Sequence, residues 1–298
     1  MAGRKRLAYL LLMIAMALPT LADQPGAPDK PDVSEIVRRS IQAAQSDWKA
    51  FPNYTHLERS AKTKGGSDDA KTFEVLMIDG SSYNRLISID GKKLPPALAE
   101  REVQKLREVI EERANQSPRA RRERIAAYQK KRRRMLDMMR DMTKALNFKL
   151  VGEERVEGYD TYVLDATPRP GYRPTSRETK VLTGARGRIW IEKQNYNWVK
   201  ADAVVMKSVP LVWYLAKVLP GTRLLLEQAP IGDGIWEPKH FHLDVKASFL
   251  WMDKSFVEDD TYWDYRPLLQ DPPSGSLRDP AQIPPPPDAH PEASQHTH

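Results

Sequence analysis

The chain has 298 residues, no cysteine, 24 prolines and a formal net charge of +7. The missing cysteine excludes a disulfide framework, thiol chemistry and attachment of lipid to a cysteine of this chain. The length supplies either one large core or two small domains.

The first residues, MAGRKRLAYLLLMIAMALPTLADQ, set Arg4, Lys5 and Arg6 before twelve apolar or aromatic residues from Leu7 to Leu18. Pro19 ends the run, and small residues lead to Ala22. This three-part pattern predicts a secretory signal peptide over 1–22. The alternative is a retained anchor, but twelve helical residues span about 18 Å against roughly 30 Å of hydrocarbon.

Next, Val33, Ile36, Val37, Ile41 and Ala44 recur at helical spacing, with Asp32 and Ser34 as caps, so residues 32–48 are expected to form an amphipathic helix. Three β-like runs follow at 54–62, 72–78 and 82–89, joined by KGGSDD and Asp79-Gly80 and closed by Asp90-Gly91. Short strands joined by such turns predict an antiparallel meander.

Residues 95–146 carry no strand pattern and read as a helical insertion broken near Ser117-Pro118. The insertion holds fifteen basic and eight acidic residues, a net +7. Nine of the seventeen residues from Pro118 to Arg134 are Lys or Arg. Ile125, Tyr128, Arg132, Met135, Met139, Met142 and Leu146 alternate spacings of three and four, which makes a packing seam that Arg132 interrupts.

From Phe148 the pattern is β again, with candidate strands at 148–157, 159–167, 187–193, 198–206, 222–230, 235–250 and 254–265. In the strand after Ile235, Phe241, Leu243, Val245, Ala247, Phe249 and Trp251 alternate with His242, Asp244, Lys246 and Ser248, giving one apolar and one polar face. Ser208–Leu219, SVPLVWYLAKVL, fits a strand, a short helix or a loop, and serves either core packing or a hydrophobic lip. Nine to eleven antiparallel strands with helices predict a mainly antiparallel β fold: a curved, half-open sheet or incomplete barrel over 23–270. The tail, 271–298, has eight prolines and is expected to be disordered or polyproline-like.

Catalytic constellations are missing. There is no HExxH, GxSxG or phosphate-cradling glycine loop, and the chain does not read as an enzyme. His240 and His242 lie two apart on the polar face of a strand, with Asp244 in line, and read as surface histidines in preference to a metal pair. The adjacent Asp259 and Asp260 point to opposite faces, the wrong arrangement for paired acid–base work. No cofactor and no metal site are expected.

The second half carries a family pattern. It includes FKLVGEERVEGYDTYVLDATPRPGY (148–172), GRIWIEKQNYNWVKADAVV (187–205) and LLLEQAPIGDGIWEPKHFHLDV (224–245), with YNRLISIDGKKL (83–94) before the helices. These stretches resemble the strands of LolA/LolB-like outer-membrane lipoprotein carriers, and RseB-type regulators look similar. The resemblance covers roughly 34–265. It implies a half-open β-sheet with a helical lid over an apolar concavity that shields acyl chains in the periplasm. The long basic insertion and the proline-rich tail depart from the compact carriers.

Under that resemblance the acyl chain is expected against Met135, Met139 and Met142 of the lid and Trp190, Phe241, Leu243 and Phe249 of the sheet. Leu211, Trp213, Tyr214 and Leu215 would supply the apolar lip. The cationic residues Arg119, Arg121, Arg122, Arg124, Lys130, Lys131, Arg132, Arg133 and Arg134 are expected either to rest on an anionic membrane surface or lipopolysaccharide, or to form a solvated outer face. Export argues against a nucleic-acid partner. The expected function is a soluble periplasmic carrier of lipid or lipoprotein acyl chains. The alternative is an envelope sensor or scaffold of RseB type that binds a membrane-protein partner.

Overall fold

Four Xaa-Gly turns time the chain reversals. Asp79-Gly80, Asp90-Gly91, Glu157-Gly158 and Asp233-Gly234 all adopt positive φ, as two-residue hairpins with the right-handed strand twist require. Gly80 has a further role, because a Cβ there would lie 3.0 Å from Ile125 Cδ1. The turn therefore accepts a side chain of the helical insertion.

The computed structural model describes residues 31–64, 67–212, 215–250, 252–268 and 283–287. The expected signal peptide over 1–22 lies outside them, as do Trp213, Tyr214, Trp251 and most of the tail. Helix α1 covers Val33–Ala50, and a 3-10 turn, Phe51–Asn53, leads into strands β1 (Tyr54–Lys64), β2 (Ser67–Ile78), β3 (Ser81–Ile89) and β4 (Lys92–Lys93). The insertion forms two helices, α2 (Pro96–Ala114) and α3 (Pro118–Ala145). Each has proline in its first turn, where the missing N–H costs nothing, and Ser117 caps α3 by accepting from the Ala120 amide.

The remaining strands are β5 (Leu146–Val156), β6 (Tyr159–Pro168), β7 (Ala185–Glu192), β8 (Trp198–Val205), β9 (Val209–Val212), β10 (Ala216–Val218), β11 (Arg223–Gly232), β12 (Ile235–Phe249) and β13 (Met252–Pro267). A short helix α4 (Arg177–Lys180), with a Ser176–Thr179 capping box, was not foreseen. The count of thirteen strands among the described residues exceeds the expected nine to eleven through β4 and the β9–β10 hairpin, all four residues long or shorter.

All pairings are antiparallel, and the order is β4-β3-β2-β1-β13-β12-β11-β8-β7-β6-β5. The long β1–β13 ladder, from Tyr54↔Pro267 to Thr63↔Val257, joins the two ends of the domain. The sheet is open: β4 and β5 end the order and do not pair with each other. The expectation of a barrel is corrected to this extent. The half-open curved sheet with helices stands.

The largest core cluster lies between α1 and one half of the sheet. Ile36, Val37 and Ile41 of α1 pack on Leu164, Ile189, Ile191 and Trp198, with Met139 and Met142 of α3 at the margin. The ambiguous stretch 208–219 is a hairpin whose Val209 and Val218 pack with Val205, so core packing holds for those residues.

Candidate functional site

The strand registers decide which side chains share the helix-covered face. Leu226 belongs to the cluster under α1 and pairs with Phe241, while Leu224 pairs with Leu243. Phe241 sits opposite Asp260, Leu243 opposite Glu258 and Val245 opposite Phe256. The apolar face read from the alternation of β12 is thus the helix-side face of the sheet. Where α1 covers it, this face is buried. Along β11–β13, Leu224, Leu226, Phe241, Leu243 and Val245 remain half-exposed. At the hairpin tip Phe249 is 50% exposed and Met252 52%. The result is a continuous apolar row that runs from the core into solvent.

Beside this row the same face turns acidic. Glu58 of β1 pairs with Tyr262 and Ser60 with Asp260. Lys62 bonds Glu258 at 2.7 Å. Burial pushes the Glu58 carboxyl up to about 7, with the charges of Asp260 and Glu258 adding to it. Burial likewise raises Asp260, whose Oδ1 has no hydrogen-bond partner. Further along, Glu237 is 2% exposed. Burial, and then Asp47 nearby, push it up to about 9. Asp47 itself rises to about 6 through burial. At neutral pH Glu237 therefore holds its proton and Glu58 is close to half protonated.

Arg132, the break in the helical seam, is buried. Its guanidinium lies 5.2 Å from the Trp48 ring and 5.7 Å from the Tyr128 ring, and Nη2 donates to the Trp48 carbonyl. It is therefore not part of a cationic surface: it joins α3 to the end of α1. Arg121 and Arg124 are spent on Asp79, at 2.5 and 2.7 Å, and Arg119 on Glu123 at 2.9 Å. Arg122, Lys130, Lys131, Arg133 and Arg134 remain exposed.

The predicted acyl contacts divide. Phe241, Leu243 and Phe249 share the helix-side face. Met139 and Met142 are packed against the core, while Met135 is 38% exposed. Leu211 packs beside Val209, and Leu215 lies next to β10. Trp190 points the other way. It pairs with Val163 and Lys200, donates to Glu154 Oε2 at 2.8 Å, and has Arg188 and Lys200 near its ring. The alternation of β7 permitted either assignment, and Ile189 and Ile191 take the core side.

On that opposite face His240 and His242, expected as surface histidines, belong to a network. His240 Nε2 and His242 Nδ1 both meet Asp259 Oδ2, at 3.1 and 2.9 Å. His240 Nδ1 stands 3.6 Å from Glu227 Oε2, an ion contact longer than a hydrogen bond. The bond to Asp259 and then the contact with Glu227 raise His240 to about 9. His240, with Lys200 behind it, lowers Glu227 to about 2. Burial works against ionisation of Asp259, but the two histidines hold it below the usual range. Asp259 and Asp260 do point to opposite faces, as read from the sequence.

Fold and site together define an open, curved antiparallel sheet with α1 and α3 across one face and a partly exposed apolar row on it. No family model and no curated protein matches the chain. Among solved structures it is similar to a DUF1329 family protein from Desulfovibrio piger, at 15% identity over 83% of this chain and 95% of that one, with a TM-score of 0.33. It is similar to the LolA superfamily protein NE2245 from Nitrosomonas europaea, at 13% identity over 80% and 94%, with a TM-score of 0.28. It is also similar to the Pseudomonas aeruginosa MucA/MucB complex structure, at 13% identity over 78% and 98%, with a TM-score of 0.24. Among the described residues no helix is long and apolar enough to cross a membrane.

Proposed function

We propose that the helix-side face of β11–β13 binds lipid acyl chains and that this protein is a soluble periplasmic carrier working by sequestration, without covalent chemistry. The observation that supports this most is the apolar row from Leu226 through Phe241 and Leu243 to Phe249. It continues the buried core yet stays half-exposed to exposed. A contiguous apolar patch open to water marks an interaction surface. An acyl chain laid on it gains about 0.8 kcal/mol per buried CH₂.

The test is titration of a fluorescent fatty-acyl probe. Wild-type protein is expected to bind saturably at micromolar concentration. Phe241→Glu removes an aromatic contact worth about 1.5–3 kcal/mol, so binding weakens about 10- to 100-fold. Trp190→Glu, on the other face, leaves binding unchanged. Absence of saturable wild-type binding, or equal weakening by the two variants, would refute the proposal.

The exposed cations of α3 extend the same reading. Lys130, Lys131, Arg133 and Arg134 face solvent, and each contributes about 1 kcal/mol near an anionic membrane. The protein is expected to co-sediment with vesicles containing anionic lipid at low salt and to release at high salt, where the charges are screened. Replacing these four by Gln removes retention. Undiminished retention of that variant rules the membrane contact out.

The second reading, an envelope sensor or scaffold, draws on the exposed tip at Phe249 and Met252, which a protein partner would cover. Native mass spectrometry separates the two. A co-purifying lipid supports the carrier, and a stoichiometric membrane protein supports the sensor.

A further inference from the structure

The proline run near the C-terminus lies apart from the apolar row, and the described piece of it is seated. Ile283 packs against Leu57, Ile87 and Trp263. The Trp263 indole Nε1 donates to the Pro284 carbonyl at 3.0 Å. These three receptor side chains come from β1, β3 and β13. Leu57 pairs with both Trp263 and Glu74, so they lie on the face opposite Glu58 and Tyr262, away from the apolar row.

The chemistry of the contact is selective. Pro284–Pro287 have no amide N–H, so the segment cannot extend the sheet by strand pairing, but its carbonyls remain free acceptors. A polyproline helix is already extended and loses little entropy on docking. An indole donor beside an apolar notch suits such a ligand, with a β-branched side chain entering the notch just before the proline run. We propose that Leu57, Ile87 and Trp263 form a recognition site for an extended proline-rich peptide, and that the chain's own Ile283–Pro287 occupies it in cis.

The full-length protein tests this through the ¹⁵N-indole resonance of Trp263, assigned by its loss in Trp263→Phe. In Ile283→Asp that resonance is expected to shift. Its hydrogen exchange should rise about tenfold, equivalent to about 1.4 kcal/mol of docking free energy. A synthetic peptide of residues 283–288 restores both readings in the variant and changes nothing in wild type, whose site is filled. The peptide is supplied at millimolar concentration, matching the effective concentration of a tethered segment. Ile283→Ala, read by the same resonance, replaces Ile283→Asp if the latter fails to fold. An unmoved Trp263 resonance in the folded variant, or a peptide that fails to restore it, overturns the proposal.

Discussion

Replacing Arg85 by Met is expected to destabilise the fold by about 3–5 kcal/mol, read as a shift of the urea midpoint at unchanged slope. Arg85 of β3 and Glu74 of β2 face each other across the ladder. Nε and Nη2 of the arginine meet Glu74 Oε2 at 2.8 and 2.5 Å. The two side chains are only 3% and 1% exposed. Removing the guanidinium leaves a carboxylate with no access to water, and that desolvation is the source of the cost. The pair itself contributes little net stability, because both ions were taken out of water to form it. Glu74→Leu with Arg85→Met is therefore expected to recover most of the loss. A double variant as unstable as the single one would show that packing, not the buried charge, sets the effect.

The second large effect is a fall in stability as pH rises. Burial holds Glu58 at about 7 and Glu237 at about 9 in the fold, against an ordinary value of 4.5. Between those values the unfolded chain releases a proton that the folded chain keeps. Raising pH through that window therefore favours unfolding. His240 acts in the same direction: its stabilisation is complete below 6.5 and is lost as pH passes about 9. Glu227, held at about 2, and Asp259 act at the other end. Their contribution is present above about pH 4.5 and disappears as pH falls toward 2. Stability should peak near pH 5 and fall by several kcal/mol by pH 9. Glu237→Gln should flatten the decline, because the amide does not ionise. Denaturant titrations at the two pH values check this, and equal or greater stability at pH 9 would contradict the burial argument.

Much of the architecture is legible locally. Asp-Gly and Glu-Gly turns locate four reversals, proline marks the starts of α2 and α3, and the strict alternation of β12 separates an apolar from a polar face. The site is less legible. Trp190 and Phe241 look alike as strand aromatics, yet they lie on opposite faces. Arg132 looks like one more charge in a basic run, yet it is buried against Trp48. A signal existed for it: it occupies a seam position otherwise filled by Ile, Tyr, Met and Leu, where only a packed side chain fits the period. The tail reads as disordered or polyproline-like from composition alone, and what seats Ile283 is an apolar notch assembled by β1, β3 and β13.

The amino-acid order by itself determined the long strands and helices, the four Xaa-Gly reversals, and that β12 has two chemically different faces, because these depend on neighbours within a few residues. Only the tertiary structure decided which face the helices cover, that β1 closes on β13, and that Glu58 meets Asp260 while Asp47 meets Glu237. Those outcomes depend on pairing between segments far apart in the chain. Period-2 alternation is satisfied equally well by either face, until packing against a helix breaks the tie.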